Sequence, residues 1–275
     1  MNRRPPAAAA AIALLALSQR AGAHEHVTLP AHLEQGQLVI ARAPPGSRIR
    51  FDGHELRIGS DGHFVFGLER DAPDSFNLEI RYPDGQSETL ERHVTRRKYK
   101  VERVNGLPQK TVTPDPATAA RIAREQRAVS KARARDDARE DFLAGFELPV
   151  NGARISGVYG SQRIDNGVAK SPHMGLDMAV PTGTPVHAPA AGVVTFAEPD
   201  LVLTGGTVLI DHGFGLDSSF LHMSKLLVKR GDHVKQGQVI GAAGMTGRAT
   251  GPHVHWGFNW FGVRLDPALL PKPAR

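Results

Sequence analysis

The chain has 275 residues, 34 Lys and Arg, 28 Asp and Glu, and a formal net charge of +6. This length is enough for one large domain or two modest ones, each with a core of its own. The sequence contains no cysteine, which excludes disulfides, thiolate metal ligands and a cysteine nucleophile. Histidine and carboxylate side chains therefore remain as the protein ligands for a transition metal.

Residues 1–23 have the pattern of a secretory signal: a basic start with Arg3 and Arg4, an apolar run at 7–17, and a small-residue cleavage site at 21–23. The apolar run is too short to span a bilayer, so a membrane anchor is the less favoured alternative. Cleavage removes three arginines and lowers the formal charge from +6 to +3. We expect an exported, most simply periplasmic protein, without stable membrane insertion and without a nucleic-acid partner.

Residues 27–104 predict a small N-terminal β-sandwich-like domain. Its β-favouring runs lie at 37–42, 48–51, 63–66, 76–82 and 97–104. Asp-Gly pairs at 52–53, 61–62 and 84–85 separate them. Such pairs favour tight hairpin turns, because both residues tolerate positive φ.

Residues 114–142 predict a helical linker. Pro114 and Pro116 open the segment, and 117–142 is rich in Ala, Arg and Glu without Gly or Pro. Its apolar stripe is narrow and consists of Ala119, Ile122, Val129 and Ala132. We expect this helix to pack lightly between two domains.

Residues 145–270 predict a second β domain without a helix. Short apolar or alternating runs bounded by Gly lie at 184–187, 192–196, 206–211, 218–222, 238–242 and 253–259. The predicted fold class is therefore mainly β, with a linker helix between an N-terminal β domain and a C-terminal antiparallel one.

Thirteen histidines raise the question of which could bind a metal. Six lie in the tail or first domain without partners at ligand spacing: His24, His26, His32, His54, His63 and His93. His253 and His255 differ, because residues i and i+2 of a strand project from one face. His173 and Asp177 form a second pair, separated by Gly175, which gives the backbone freedom to bring them together. Two histidines and one carboxylate leave one position of tetrahedral zinc open for water, as in catalytic sites.

Several short motifs carry a family resemblance. They are His173-Met174-Gly175-Leu176-Asp177, residues 181–186, Asp211-His212-Gly213, Leu221-His222-Met223-Ser224, residues 231–238 and residues 244–255. In order and spacing, residues 157–257 resemble the catalytic domain of the lysostaphin/LytM-type peptidoglycan metalloendopeptidases. The resemblance implies a LytM-type antiparallel β domain that binds one Zn²⁺.

The resemblance also assigns roles within the histidine group. It implies His173, Asp177 and His255 as zinc ligands, and His222 and His253 as catalytic residues that do not bind the metal. Metal-activated water needs a base that orients and deprotonates it, and the tetrahedral intermediate needs stabilisation. Two free imidazoles beside a zinc ion suit both tasks.

Other residues receive secondary interpretations. Phe220 stands where the family usually has tyrosine, which puts a substrate contact in doubt, while Met223 and Val254 replace leucines conservatively. We interpret three more histidines of the domain as structural or exposed: His187, His212 and His233. Three polar residues ahead of the metal motif either meet substrate carboxylates or lie on a solvated loop: Arg163, Asn166 and Lys170.

The predicted function is a secreted zinc metalloendopeptidase that hydrolyses peptide cross-links in peptidoglycan, its expected partner. In a Gram-negative source, the resemblance favours the bond between D-alanine and meso-diaminopimelate. One alternative is a catalytically silent regulator that activates other cell-wall hydrolases, and another is a peptidase for glycine-rich proteins or bridges. The sequence indicates no oligomeric state, and it leaves open whether the N-terminal domain targets the wall, binds a partner or inhibits the site.

Overall fold

A computed structural model of the chain describes residues 26–106 and 113–274. The predicted signal segment, residues 1–23, lies outside the described residues, as does His24. The described ranges are mainly β and contain a single α-helix, as the sequence predicts. Within them, no helix combines the length and apolar character that a membrane span requires.

The N-terminal part contains two small antiparallel sheets. Its strands are β1 Leu38–Arg42, β2 Arg48–Phe51, β3 His54–Glu55, β4 His63–Gly67, β5 Ser75–Arg81 and β6 Ser87–His93. β1 pairs with β4, and the other four form a sheet in the order β3-β2-β5-β6. The rings of Phe51 and Phe76, on the larger sheet, lie 4.5 and 5.3 Å from the ring of Phe66 on the smaller one. Apolar packing between two sheets agrees with the predicted sandwich-like arrangement.

The turn between β2 and β3 shows how the Asp-Gly pairs act. Asp52 and Gly53 have φ angles of 47° and 75°. Positive φ at both central residues is the requirement of a type I′ hairpin turn. Strands β3 and β6 were not predicted. β6 is polar and mostly exposed, so its sequence lacks the apolar alternation that indicates a strand.

The α-helix, α1, spans Pro116–Arg133 and begins at Asp115, whose side chain accepts a hydrogen bond from the Thr118 backbone N–H at 2.9 Å. The predicted linker helix over 114–142 is therefore wrong at its C-terminal end. Residues 134–140 leave the helix because their charged side chains pair elsewhere: Asp136 binds Arg57, and Arg139 binds Asp211. α1 also contacts β13 and β14 of the large sheet.

A single large sheet dominates the C-terminal part. The last strand of the N-terminal part is β7 Val101–Val104. The strands of the C-terminal part are β8 Arg154–Gly157, β9 Gln162–Asp165, β10 Val168–Ala169, β11 Leu176–Ala179, β12 Pro185–His187, β13 Gly192–Leu201, β14 Gly205–Gly213, β15 Leu216–Met223, β16 Lys225–Leu226, β17 His233–Val234, β18 Val239–Ala242, β19 His253–Trp260 and β20 Val263–Leu265. The large sheet has the order β17-β13-β14-β15-β19-β11-β8, with β20 paired to β19. Its pairs are antiparallel, as predicted.

The described residues also form two three-stranded sheets. The first, β12-β18-β16, lies within the C-terminal part. The second, β10-β9-β7, joins the two halves of the chain, because β7 follows the N-terminal sheets and pairs in parallel with β9.

The apolar core crosses the predicted boundary between the two β regions. One continuous cluster of buried side chains includes Phe66 from the N-terminal part and Leu265 from the C-terminal part. A Cβ at Gly67 would lie only 2.9 Å from the Leu265 side chain. Arg97 adds an ion pair at 2.7 Å with Asp266, whose side chain is 3% exposed. The division into two domains at residues 27–104 and 145–270 stays a proposal.

Candidate metal centre

Three potential ligands converge where β11 and β19 pair. Asp177 on β11 lies directly opposite His255 on β19, and His173 precedes β11 by three residues. The Asp177 Oδ1 atom is 3.0 Å from His173 Nε2 and 2.8 Å from His255 Nδ1, and these two nitrogens are 2.9 Å apart. All three residues are buried or nearly so. The antiparallel register therefore fixes two ligands, and the turn before β11 supplies the third.

The chemistry of this donor set fits a zinc ion. The Val158 carbonyl accepts a hydrogen bond from His173 Nδ1 at 3.0 Å, which leaves Nε2 with its lone pair. That lone pair faces His255 Nδ1 and a carboxylate oxygen, an arrangement that needs a proton or a cation between the atoms. Ligands about 2.0–2.1 Å from tetrahedral zinc lie about 3.3 Å from each other. A small outward movement would therefore give the three atoms suitable spacing.

The charges of the group also favour a cation. Burial raises the pKa of Asp177, but hydrogen bonds with His173 and His255 outweigh it and hold the pKa well below its usual value. Burial lowers the pKa of His255 to about 4, although Asp177 opposes that shift. At neutral pH the group thus offers a carboxylate anion beside a neutral His255.

Local backbone structure holds His173 and leaves room for the ligands. Gly160 donates a backbone hydrogen bond to the His173 carbonyl at 2.7 Å, and the His173 N–H donates to the Ser161 carbonyl at 2.8 Å. A Cβ at Gly157 would lie 2.3 Å from Asp177 Oδ2, and one at Gly175 would lie 2.5 Å from the His255 ring. Neither position tolerates a side chain without displacing a ligand.

A second pair of imidazoles lies beside the first group. The rings of His222 and His253 are 4.7 Å apart, and His253 Nε2 is 3.9 Å from Asp177 Oδ1. His222 Nδ1 donates to the Thr246 carbonyl at 2.8 Å, and His253 Nδ1 donates to the Gly251 carbonyl at 2.8 Å. In a neutral ring that donates from Nδ1, the acceptor is Nε2.

The backbone of β15 explains how His222 reaches this side of the sheet. Strand alternation would place it on the face opposite Leu221, the residue that pairs with His255. His222 has a φ of 65°, a left-handed conformation that is uncommon for a residue with a side chain, and this breaks the alternation. Burial, with His253 and His255 nearby, lowers the pKa of His222 to about 3, so the ring is neutral near pH 7.

Comparisons with known proteins place this arrangement in a family. Peptidase family M23 matches residues 171–267. A crystal structure from Pseudomonas aeruginosa, of a protein assigned to peptidase M23, aligns with a TM-score of 0.66 and 31% identity over 86% of this chain and 93% of that one. The chain belongs to peptidase family M23. The P. aeruginosa alignment extends well beyond the matched domain, so this M23 chain shares most of its fold with that protein.

Two curated relatives of this M23 protein come from Vibrio cholerae. The peptidoglycan DD-endopeptidase ShyA is 46% identical over 86 residues, which are 31% of this chain and 20% of ShyA. The peptidoglycan DD-endopeptidase ShyC is 37% identical over 132 residues, which are 47% of this chain and 30% of ShyC. The chain thus spans less than a third of the length of these relatives.

The structure brings all five predicted site residues of the M23 domain together, although their roles stay proposals. Phe220 is fully buried and pairs with Trp256 across the sheet, so it belongs to the core and does not line the site. His212 is also buried, between the Ala191 carbonyl and the Ser218 hydroxyl, in keeping with a structural role. Arg163 contacts Asp177 Oδ2 at 2.6 Å, a contact that the sequence interpretation did not include.

Sequence reasoning missed the residues that support the site. Gly157 carried no signal beyond its residue type, and the carbonyls of Val158, Thr246 and Gly251 have none in a sequence. Gly175 was predicted to give backbone freedom, and this reason is wrong: it is not among the residues with positive φ. Its role is steric, because a Cβ there would strike the His255 ring.

Proposed function

We propose that this chain is an exported zinc metalloendopeptidase that hydrolyses peptide cross-links in bacterial peptidoglycan, with the periplasm as its place of action. The observation that carries the proposal is the set of three ligand atoms 2.8–3.0 Å apart beside two more imidazoles. Membership of family M23 and the names of the V. cholerae relatives support the substrate class. The signal pattern at residues 1–23 supports export.

In this proposal, His173, Asp177 and His255 hold the metal. When bound, zinc acts as a Lewis acid toward a carbonyl group and lowers the pKa of a water molecule to about 7. His222 and His253 each have Nδ1 bonded to a backbone carbonyl, so a neutral ring at either position presents its Nε2 lone pair. One imidazole can accept the proton of the attacking water and return it to the leaving amine. The other can donate a hydrogen bond to the oxyanion once protonated.

The first test measures zinc content and the hydrolysis of purified peptidoglycan by the full mature chain. We expect about one zinc per chain, and loss of turnover both on chelation and in His255→Ala. His233→Ala is the matched control, because His233 is an exposed histidine on β17. Turnover that survives both changes would contradict the mechanism. A mature protein without stoichiometric metal would instead favour a silent regulator.

A second test separates the catalytic histidines from the ligands. We expect His222→Ala and His253→Ala to retain about one zinc and to lower kcat about 10²–10⁴-fold, the usual contribution of general acid–base catalysis. Loss of zinc from either variant would make that residue a ligand. Analysis of the muropeptides released by the wild type identifies the bond that is cleaved.

A further inference from the structure

We propose that Arg163 is a positioning residue for the metal centre, and that strand β7 of the N-terminal part holds it in place. The inference rests on the proposed zinc site and extends it to residues outside the ligand motif. It also gives the N-terminal part a structural task in the chemistry, in place of targeting or inhibition.

Arg163 fixes which oxygen of Asp177 faces the two histidines. Its Nη2 atom donates to Asp177 Oδ2 at 2.6 Å, while Oδ1 lies 3.0 and 2.8 Å from His173 Nε2 and His255 Nδ1. Gly157 closes the other side of Oδ2, since a Cβ there would lie 2.3 Å from that oxygen. The carboxylate therefore cannot rotate to offer both oxygens to the metal without breaking the Arg163 contact.

Burial makes this contact stronger than a surface ion pair. The side chains of Arg163 and Asp177 are 24% and 9% exposed, so solvent screens their attraction only in part. The guanidinium is planar and donates in a fixed direction, which an ammonium group does not. Arg163 thus supplies direction as well as charge to the ligand.

Strand β7 provides the backbone template for Arg163. It pairs in parallel with β9, and Glu102 lies opposite Arg163 in the register. Backbone hydrogen bonds at 2.8 Å close both ends of the pair, from Gln162 N–H to the Lys100 carbonyl and from Asn166 N–H to the Val104 carbonyl. Arg163 therefore stands on a strand whose only long partner in the described ranges comes from the N-terminal part.

Side chains of the N-terminal part also hold the turn that leads into β9. Ser161 Oγ donates to Glu102 Oε1 at 2.8 Å, and Arg70 Nε donates to the Gly160 carbonyl at 2.8 Å. Gly160 packs so closely on Tyr99 that a Cβ would lie 2.0 Å from its ring. Because Gly160 and Ser161 also bind the backbone of His173, this support reaches a second ligand.

The test titrates zinc into metal-free, full mature protein with a competing chelator and compares Arg163→Met, Arg163→Lys and wild type. Supporting residues around metal ligands are typically worth about 10–100-fold in metal affinity. We expect Arg163→Met to weaken zinc binding in this range, and Arg163→Lys to restore only part of the loss. Arg154→Met is the matched control, since Arg154 is exposed on β8, the strand next to β11, and it should bind zinc as the wild type does.

A spectroscopic measurement tests whether Arg163 orients Asp177, and a double variant tests whether β7 supports the site. With cobalt(II) in place of zinc, we expect the visible spectrum of Arg163→Met to shift as Asp177 changes its mode of coordination. Glu102→Ala removes the contact with Ser161, which supports the backbone of His173, so it should weaken zinc binding by a smaller factor. Its effect should add to that of Arg163→Met, because the two side chains support different ligands.

The outcomes distinguish this inference from the proposed function. A wild-type protein that binds no zinc overturns both. Zinc affinity of Arg163→Met and Arg163→Lys within about threefold of the wild type overturns the positioning role alone, and so does a raised KM for peptidoglycan with unchanged zinc affinity, which would make Arg163 a substrate contact. Zinc affinity of Glu102→Ala equal to that of the wild type overturns the part assigned to the side chain of β7.

Discussion

Gly175 illustrates how one missing side chain supports the candidate metal centre. Its Cα lies against the imidazole of His255, and a Cβ would approach the ring to 2.5 Å. We expect Gly175→Ala to displace the ring at a cost of about 1–3 kcal/mol, typical of overpacking. This corresponds to about 5–150-fold weaker zinc binding. Chelator competition measures the loss, and Gly262→Ala is the control, because no atom lies within 4 Å of a Cβ there. Equal zinc affinity in both variants would show that the site accommodates the methyl group.

His212 gives the fold a defined pH dependence. Burial lowers its pKa from 6.5 to about 4, with the nearby Arg139 acting in the same direction and the Ala191 carbonyl opposing. As the pH falls from 6.5 to 4, the unfolded chain binds the proton first, so His212 stabilises the fold less and less. The full loss is about 3 kcal/mol, at about 1.36 kcal/mol per pKa unit.

A comparison with His212→Gln isolates this effect. Burial raises the pKa of Asp217 to about 6, which acts in the opposite direction over the same pH range and is common to both proteins. Urea unfolding at pH 7.5 and pH 4 should show that the stability difference between wild type and variant shrinks at low pH. A difference that is constant with pH would mean that folding does not lower the pKa of His212.

At the scale of elements, the end of α1 depends on one buried ion pair. Arg133, in its last turn, lies 3.3 Å from Asp217, and the two side chains are 12% and 4% exposed. Among the described residues, Arg133→Met would leave the carboxylate with Asn259 as its one side-chain hydrogen-bond donor. We expect a loss of about 3 kcal/mol in the free energy of unfolding at pH 8. The loss should decrease at pH 5, where Asp217 can take up a proton.

Controls separate the ion pair from the helix itself. Arg127→Met changes an exposed arginine of α1 and should leave stability within about 0.5 kcal/mol of the wild type. Asp217→Asn added to Arg133→Met should recover part of the loss, because it removes the unpaired charge. Thermal and urea unfolding measure both effects. If Arg133→Met is as stable as Arg127→Met, the ion pair has no role in stability.

The elements also show which parts of the fold the sequence can predict. β14 and β15 were predicted because they are short apolar runs between glycines, and every residue of these strands except Leu221 is buried. β9 was missed, since its partner β7 lies about 60 residues earlier and its residues are only half-buried. The predicted ligand and catalytic residues lie together because their motifs fix strand register, whereas the contact between Arg163 and Asp177 depends on that remote pairing.

For the whole molecule, the shared core predicts that the N- and C-terminal parts unfold together. Gly67 packs on Leu265 and Val263, and Arg97 pairs with Asp266. Hydrogen exchange followed by mass spectrometry should give the same urea midpoint for peptides from β4 and from β14. Gly67→Val should lower both midpoints equally, by about 1–3 kcal/mol in stability. Separate midpoints would mean that the two parts fold as independent units.

The parallel pairing of β7 with β9 has a consequence for the order of folding. It joins residues such as Val101 and Gln162, and the two histidines of the ligand group are even farther apart in sequence. Contacts between distant segments form late, because closing the long loop between them loses chain entropy before the contacts stabilise the fold. The chain therefore completes the candidate metal centre among its last steps of folding, after both halves have docked, and the proposed zinc ligands come together only at that moment.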